Sequence, residues 1–150
     1  MNADKDSGNI SKDGLTGLKS KAYFLVSLEN SIAKLALPNP SQNTGVVSVY
    51  LGNALEDDLQ AIATLVDMQA DYATHYKSGM QDVIAGVYEG SEAPLSAIEA
   101  NLQSVLSGKF PKLKFGVAHV PVDKEGNAEQ VLDQVARNAY DAMILQKPAV

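Results

Sequence analysis

The chain has 150 residues, enough for one domain with a substantial core. Its composition, 45% hydrophobic and 20% charged, is that of an ordinary globular protein. The formal net charge of −6 argues against nucleic acid or an anionic membrane as a partner, because both reward clustered Lys and Arg.

Arg137 is the single arginine, so bidentate guanidinium capture of a phosphate is available at one position at most. The absence of Cys excludes disulfides, thiolate metal sites and cysteine nucleophiles. No apolar run approaches the roughly 20 residues of a membrane helix, and Met1–Ser11 lacks an apolar signal core. The expectation is a cytoplasmic domain, alone or as a piece of a longer multidomain regulator.

Residues 1–12 are polar and read as a flexible leader, with a single domain over 13–150. Asp13-Gly14-Leu15-Thr16-Gly17-Leu18 reads as a turn. Phe24, Leu25, Leu28, Ile32 and Leu35 recur at helical spacing within 19–37, and the Pro38–Gly45 stretch ends that helix. Val46 to Leu51 is an apolar, β-branched run expected to be a central strand. Asn53 with Glu56 resembles an N-capping arrangement. It opens a helix whose inner face would be Leu55, Leu59, Ile62, Leu65, Val66 and Ala70.

Asp71 to Tyr76 reads as a strand, Lys77 to Gln81 as a tight turn and Asp82 to Tyr88 as the returning strand. Ser91 and Pro94 start a third helix, with Leu95, Ile98, Leu102, Val105 and Leu106 inward and Gly108 as its stop. The alternation from Leu113 to Val120 predicts a strand. Asn127 caps a last helix that turns Val131, Leu132, Val135, Ala139 and Met143 to the core. This order predicts an α+β fold with a ferredoxin-like, nucleotide-cyclase-like core (β-α-β-β-α-β) and helices packed on a mixed, mostly antiparallel sheet.

Two anchors resemble the GGDEF (diguanylate cyclase) family. The opening Asp13-Gly14-Leu15-Thr16-Gly17-Leu18, with Tyr23-Phe24 following, is similar to that family's D-x-L-T-G-L start. Phe115-Gly116-Val117-Ala118-His119-Val120-Pro121, then a helix with Ala136 and Ala139, is similar to its S-I-G-V-A-x-x-P strand and A-D-x-A helix. The resemblance implies a cyclase-like fold in a cyclic di-GMP signalling context.

It also implies where the working parts would lie. The carboxylates that hold Mg²⁺ at the end of the first strand fall on Tyr50 and Gly52, neither of which can supply a hard oxygen anion. The nucleotide-binding segment after that strand looks deleted. The G-G-D-E-F hairpin, with its metal ligand, falls on Lys77-Ser78-Gly79-Met80-Gln81, in a register good to about one residue. The R-x-x-D inhibitory motif reads Met68-Gln69-Ala70-Asp71, keeping the Asp and losing the Arg. Arg137 stands where the family usually has Asp, and Ile144 near where it often has Lys.

Metal-assisted phosphoryl transfer depends on positioned charge. The expectation is therefore a catalytically inactive, degenerate domain with no metal and no cofactor. It would act by contact with a protein partner, an adjacent signalling domain or a second copy. The alternative is a sensor that binds GTP or cyclic di-GMP without turnover, supported by Asp71 and Gly79 alone.

Other clusters have plainer explanations. Glu56-Asp57-Asp58 suits the first turn of a helix, where the macrodipole rewards acid, better than a cation site. His75 and His119 read as partly buried strand residues rather than as an acid–base pair. Ser78 lacks a nucleophile's surroundings. Lys109, Lys112 and Lys114 read as a solvated loop and strand face.

Overall fold

In a computed structural model, residues 16–34, 44–90, 92–122 and 126–145 are described. The elements, in order, are α1 (Lys21–Lys34), β1 (Gly45–Gly52), α2 (Glu56–Gln69), β2 (Tyr72–Ser78), β3 (Gln81–Tyr88), α3 (Leu95–Lys109), β4 (Lys114–Pro121) and α4 (Ala128–Leu145). The leader and the first three residues of the D-x-L-T-G-L-like turn lie outside the described residues, as does Ser91.

The sheet order is β2-β3-β1-β4. Every strand pairing in it is antiparallel; the one parallel element among the described residues is an isolated bridge between Lys19 and Thr74. There the Thr74 hydroxyl donates to the Lys19 carbonyl at 2.7 Å, and the Lys19 N–H donates to the Ala73 carbonyl at 3.1 Å. That bridge lies along the outer edge of β2 and gives its polar backbone partners.

Both faces of the sheet are covered, so β1 reads as a continuous apolar run rather than an alternation. On one face Val47, Val49, Leu51, Ile84, Phe115 and Val117 pack under α2 and α3, which bury Leu59, Ile62, Val66, Leu102 and Leu106. On the other, Val46, Tyr50, Val83, Ala85 and Val87 pack under α1 and α4. All five residues expected inward on α4 are buried, as are Phe24, Leu28 and Ile32 of α1. The result is the α+β, cyclase-like architecture that the element order predicts, in three layers.

Several local expectations need correction. Asn53 does not cap α2. It takes a left-handed conformation (φ 55°), which Asn tolerates, and passes the N-cap position to Leu55, which makes no side-chain cap bond. Leu55 therefore stands before the helix and is 71% exposed instead of facing the core. Glu56, Asp57 and Asp58 do occupy the first turn of α2. Gly108 does not stop α3, which continues to Lys109. The stop is Pro111, which pushes Phe110 out of helical geometry (φ −130°, ψ 64°). Asn127 does cap α4: its Oδ1 accepts the Gln130 N–H at 3.1 Å.

At the base of the hairpin, away from its tip, a polar node ties α1 to the sheet. The Ser31 hydroxyl donates to the Glu89 carboxylate at 2.6 Å and lies 2.6 Å from the Tyr72 hydroxyl. Burial pushes the phenols of Tyr72 and Tyr88 up to about 12 and raises that of Tyr76 further. A raised phenol pKa means that the folded chain holds its proton more tightly than the unfolded chain, whose tyrosines titrate near 10. The associated stability is complete below about pH 10 and is lost as pH climbs toward about 12. Urea midpoints should accordingly fall through that window, and phenolate absorbance should rise in two stages, the late stage coinciding with unfolding.

Candidate functional site

The β2–β3 hairpin closes through a two-residue loop. Ser78 pairs with Gln81, leaving Gly79 and Met80 at the tip. Gly79 has φ 64° and Met80 is not among the residues of positive φ, the pattern of a II′ loop, in which glycine takes the first position. Lys77 and Ser78 therefore belong to β2 and Gln81 to β3, although their polarity reads as turn. Met80, at the tip, is 92% exposed.

The end of β1 lies beside this tip, since Leu51 pairs with Asp82 and Tyr50 with Val83. Tyr50 is only 7% exposed. Its hydroxyl donates to Ser78 Oγ at 3.1 Å, and its ring meets Tyr140 of α4 edge-to-face at 5.0 Å. Gly52 lies against α4: a Cβ there would be 3.3 Å from Met143 Sδ and 3.7 Å from Gln81 Nε2. Tyr50, Gly52, Ser78 and Gln81 are thus brought together.

Asp82, paired with Leu51 of β1 and Lys77 of β2, places a carboxylate on the opposite face of the hairpin. Its Oδ1 lies 2.7 Å from His75 Nε2 and 3.1 Å from Lys77 Nζ. The His75 and Asp82 side chains are buried, whereas Lys77 reaches in from solvent. Burial of the Asp82 carboxylate is tolerable because two partners reach it at hydrogen-bonding distance. Sequence reasoning missed this pair. Its signal is the short loop, which sets Lys77 opposite Asp82 and puts His75 one diagonal step away.

The remaining candidates sit apart. Met68 is exposed near the end of α2. Asp71 precedes β2 at the far end from the tip, where its Oδ2 accepts the Glu89 N–H at 2.7 Å, a turn-closing role. His119 does not meet His75. The two lie on the outer strands β4 and β2, three strand spacings or about 14 Å apart, and His119 Nδ1 lies 2.8 Å from Glu99 Oε1 of α3. Lys109, Lys112 and Lys114 are exposed around the α3–β4 corner. Among the described residues no three His, Asp or Glu side chains stand close enough to hold a metal ion. No described helix is long and apolar enough to cross a membrane.

No protein-family model and no curated protein matches the sequence. Solved structures do resemble the fold. A microbial GGDEF domain, described in an interaction mode with cyclic di-GMP, matches with a TM-score of 0.62 at 13% identity, over 95% of this chain and 96% of that one. A sensory box/GGDEF family protein from Caulobacter crescentus CB15 matches with a TM-score of 0.57 at 16% identity, over 91% and 99%. The diguanylate cyclase SiaD from Pseudomonas aeruginosa, in complex with its activator SiaC, matches with a TM-score of 0.56 at 12% identity; the match spans 95% of this chain but 60% of SiaD. The chain has the fold of GGDEF domains over most of its length.

Proposed function

We propose that this GGDEF-fold chain is a catalytically inactive regulatory or protein-interaction module of cyclic di-GMP-type bacterial signalling. The observation that carries the reading is Tyr50. Where the sequence resemblance puts a Mg²⁺-holding carboxylate, a buried phenol bonds to the hairpin and packs against α4. A phenol offers a divalent cation a poor ligand beside a carboxylate.

The loop geometry argues for shifting the signature by two residues, more than the one-residue tolerance of the sequence reading. A Gly-Gly pair suits the two central residues of a tight hairpin, which favours setting it on Gly79-Met80 rather than on Lys77-Ser78. Gln81 and Asp82 then take the two acidic positions of G-G-D-E-F. The first is an amide, and the second is held by His75 and Lys77. In either register the hairpin signature supplies no free carboxylate. The partner would be another protein or an adjacent signalling domain, in keeping with the resemblance to a cyclase described with its activator.

Purified protein incubated with GTP and Mg²⁺ should form no cyclic di-GMP above a protein-free blank. Accumulation of product would overturn the proposal. Calorimetric heat with GTP or cyclic di-GMP, in the absence of turnover, would replace it by the sensor alternative.

A further inference from the structure

α1 is seated differently from the other helices. α2 packs on β2 and β3, α3 on β1 and β4, and α4 on β1, β3 and β4; α1 packs chiefly on one strand, the edge strand β2, and on α4. Its buried stripe holds three large apolar side chains, Phe24, Leu28 and Ile32, with a serine, Ser31, among them. A helix of 14 residues is marginal in water by itself. α1 therefore keeps its shape because it is seated, and leaving the seat melts it.

The segment that leads into α1 wraps the same edge. Leu18 is buried on the α2–α3 face of the sheet, and Lys19 makes the backbone bridge to β2. Phe24 then opens the buried stripe on the other face, its ring edge-to-face with Tyr72 at 5.5 Å. The far end of α1 is latched by side chains. Ser31 Oγ lies 2.6 Å from both Glu89 Oε2 and the Tyr72 hydroxyl, and Lys34 Nζ is 3.7 Å from the same carboxylate oxygen. Asp71 fixes the position of Glu89, because its Oδ2 accepts the Glu89 N–H. A stripe that buries a hydroxyl is stable only while that hydroxyl keeps its partners.

We propose that residues 18–34 form a strap that opens from the β2 edge as one unit while the four strands and α2 to α4 stay folded, with Ser31 and Glu89 as its latch. Sub-global opening of this kind falls to elements with few buried apolar contacts. Residues 35–44 join α1 to β1 and can span up to roughly 33 Å, so α1 can leave without unpairing β1. Opening uncovers the Ala73 carbonyl and the Thr74 hydroxyl that Lys19 engages, and the side of Tyr72 that Phe24 covers. A ligand that binds the open form alone shifts the chain toward it, which makes the strap a switch.

Native-state hydrogen exchange on the full chain, read by mass spectrometry at low urea, tests the strap. Amides of α1 should exchange at least about tenfold faster than those of β1 and β3. Val49 packs on the α2–α3 face, away from α1. Val49→Ala should therefore accelerate β1 and β3 at least about tenfold and leave α1 at its wild-type rate. Glu89→Ala removes the latch and should accelerate α1 at least about fivefold. Circular dichroism confirms that each variant is folded, and the wild-type comparison stands without them.

Equal rates in α1 and the sheet overturn the proposal, as does acceleration of both by Val49→Ala, since α1 then leaves only on global unfolding. An α1 rate unchanged by Glu89→Ala overturns it as well. Cyclic di-GMP formation, which would remove the inactive-module reading, leaves the strap untouched.

Discussion

Substitution of Gly116 by valine is expected to destabilise the chain by at least about 3 kcal/mol, and urea unfolding followed by circular dichroism would measure it. A Cβ built on Gly116 collides with the Ala139 carbonyl oxygen, the Met143 nitrogen and the Met143 Cα. All three are backbone atoms of α4, so no side-chain rotation relieves the overlap; the helix itself must lift. That helix buries Val131, Leu132, Val135, Ala139 and Met143 against β1, β3 and β4, and lifting it opens the whole contact to water. Gly108 is the internal control. A Cβ there meets nothing within 4 Å, and the residue lies inside α3. Gly108→Ala should therefore stabilise by about 0.5–1 kcal/mol through helix propensity alone. Equal effects of the two substitutions would refute the close-approach account of Gly116.

The contrast between these glycines also shows what a sequence can reveal. Both are ordinary letters in a motif or a helix end; their meanings differ because one lies under another element, which no local pattern encodes. Helix faces were legible where amphipathicity is strong, as in α4, whose five expected core residues are all buried. They were less so at boundaries. Leu55 fits the apolar period of α2, yet the helix begins one residue later, so it faces solvent.

Gly79 correctly signalled a turn. Its length was obscured because Lys77, Ser78 and Gln81 are polar residues at the open end of a ladder, where backbone pairing matters more than side-chain character. The mostly antiparallel character of the sheet and the nearness of Tyr50 to the hairpin followed from element order and from the family resemblance, not from periodicity; the described strands pair wholly antiparallel where a mixed sheet was expected. The contact of Tyr50 with Tyr140 joins β1 to the last helix, across 90 positions of sequence, and no spacing rule reaches that far.

The same register argument leads to Asp82. Asp82→Ala should cost about 3 kcal/mol and accelerate amide hydrogen exchange from Ser78 to Gln81 more than elsewhere in the sheet. The side chain is buried and its Oδ1 serves both His75 and Lys77, so alanine removes two charge-assisted contacts at once. Lys77 returns to water at little cost because most of its side chain is already exposed. His75 is buried on β2, so the loss of its 2.7 Å contact with the carboxylate carries most of the penalty. Asp82→Asn keeps an oxygen acceptor and should lose only about 1 kcal/mol. The series separates two roles for the Asp82 carboxylate. A structural anchor predicts the ordering Ala worse than Asn, with the exchange effect confined to the hairpin. A carboxylate retained for a cation predicts near-neutral stability for both variants without divalent ions and a loss of Mg²⁺-dependent stabilisation instead. Because both partners already converge on the carboxylate, the first ordering is expected.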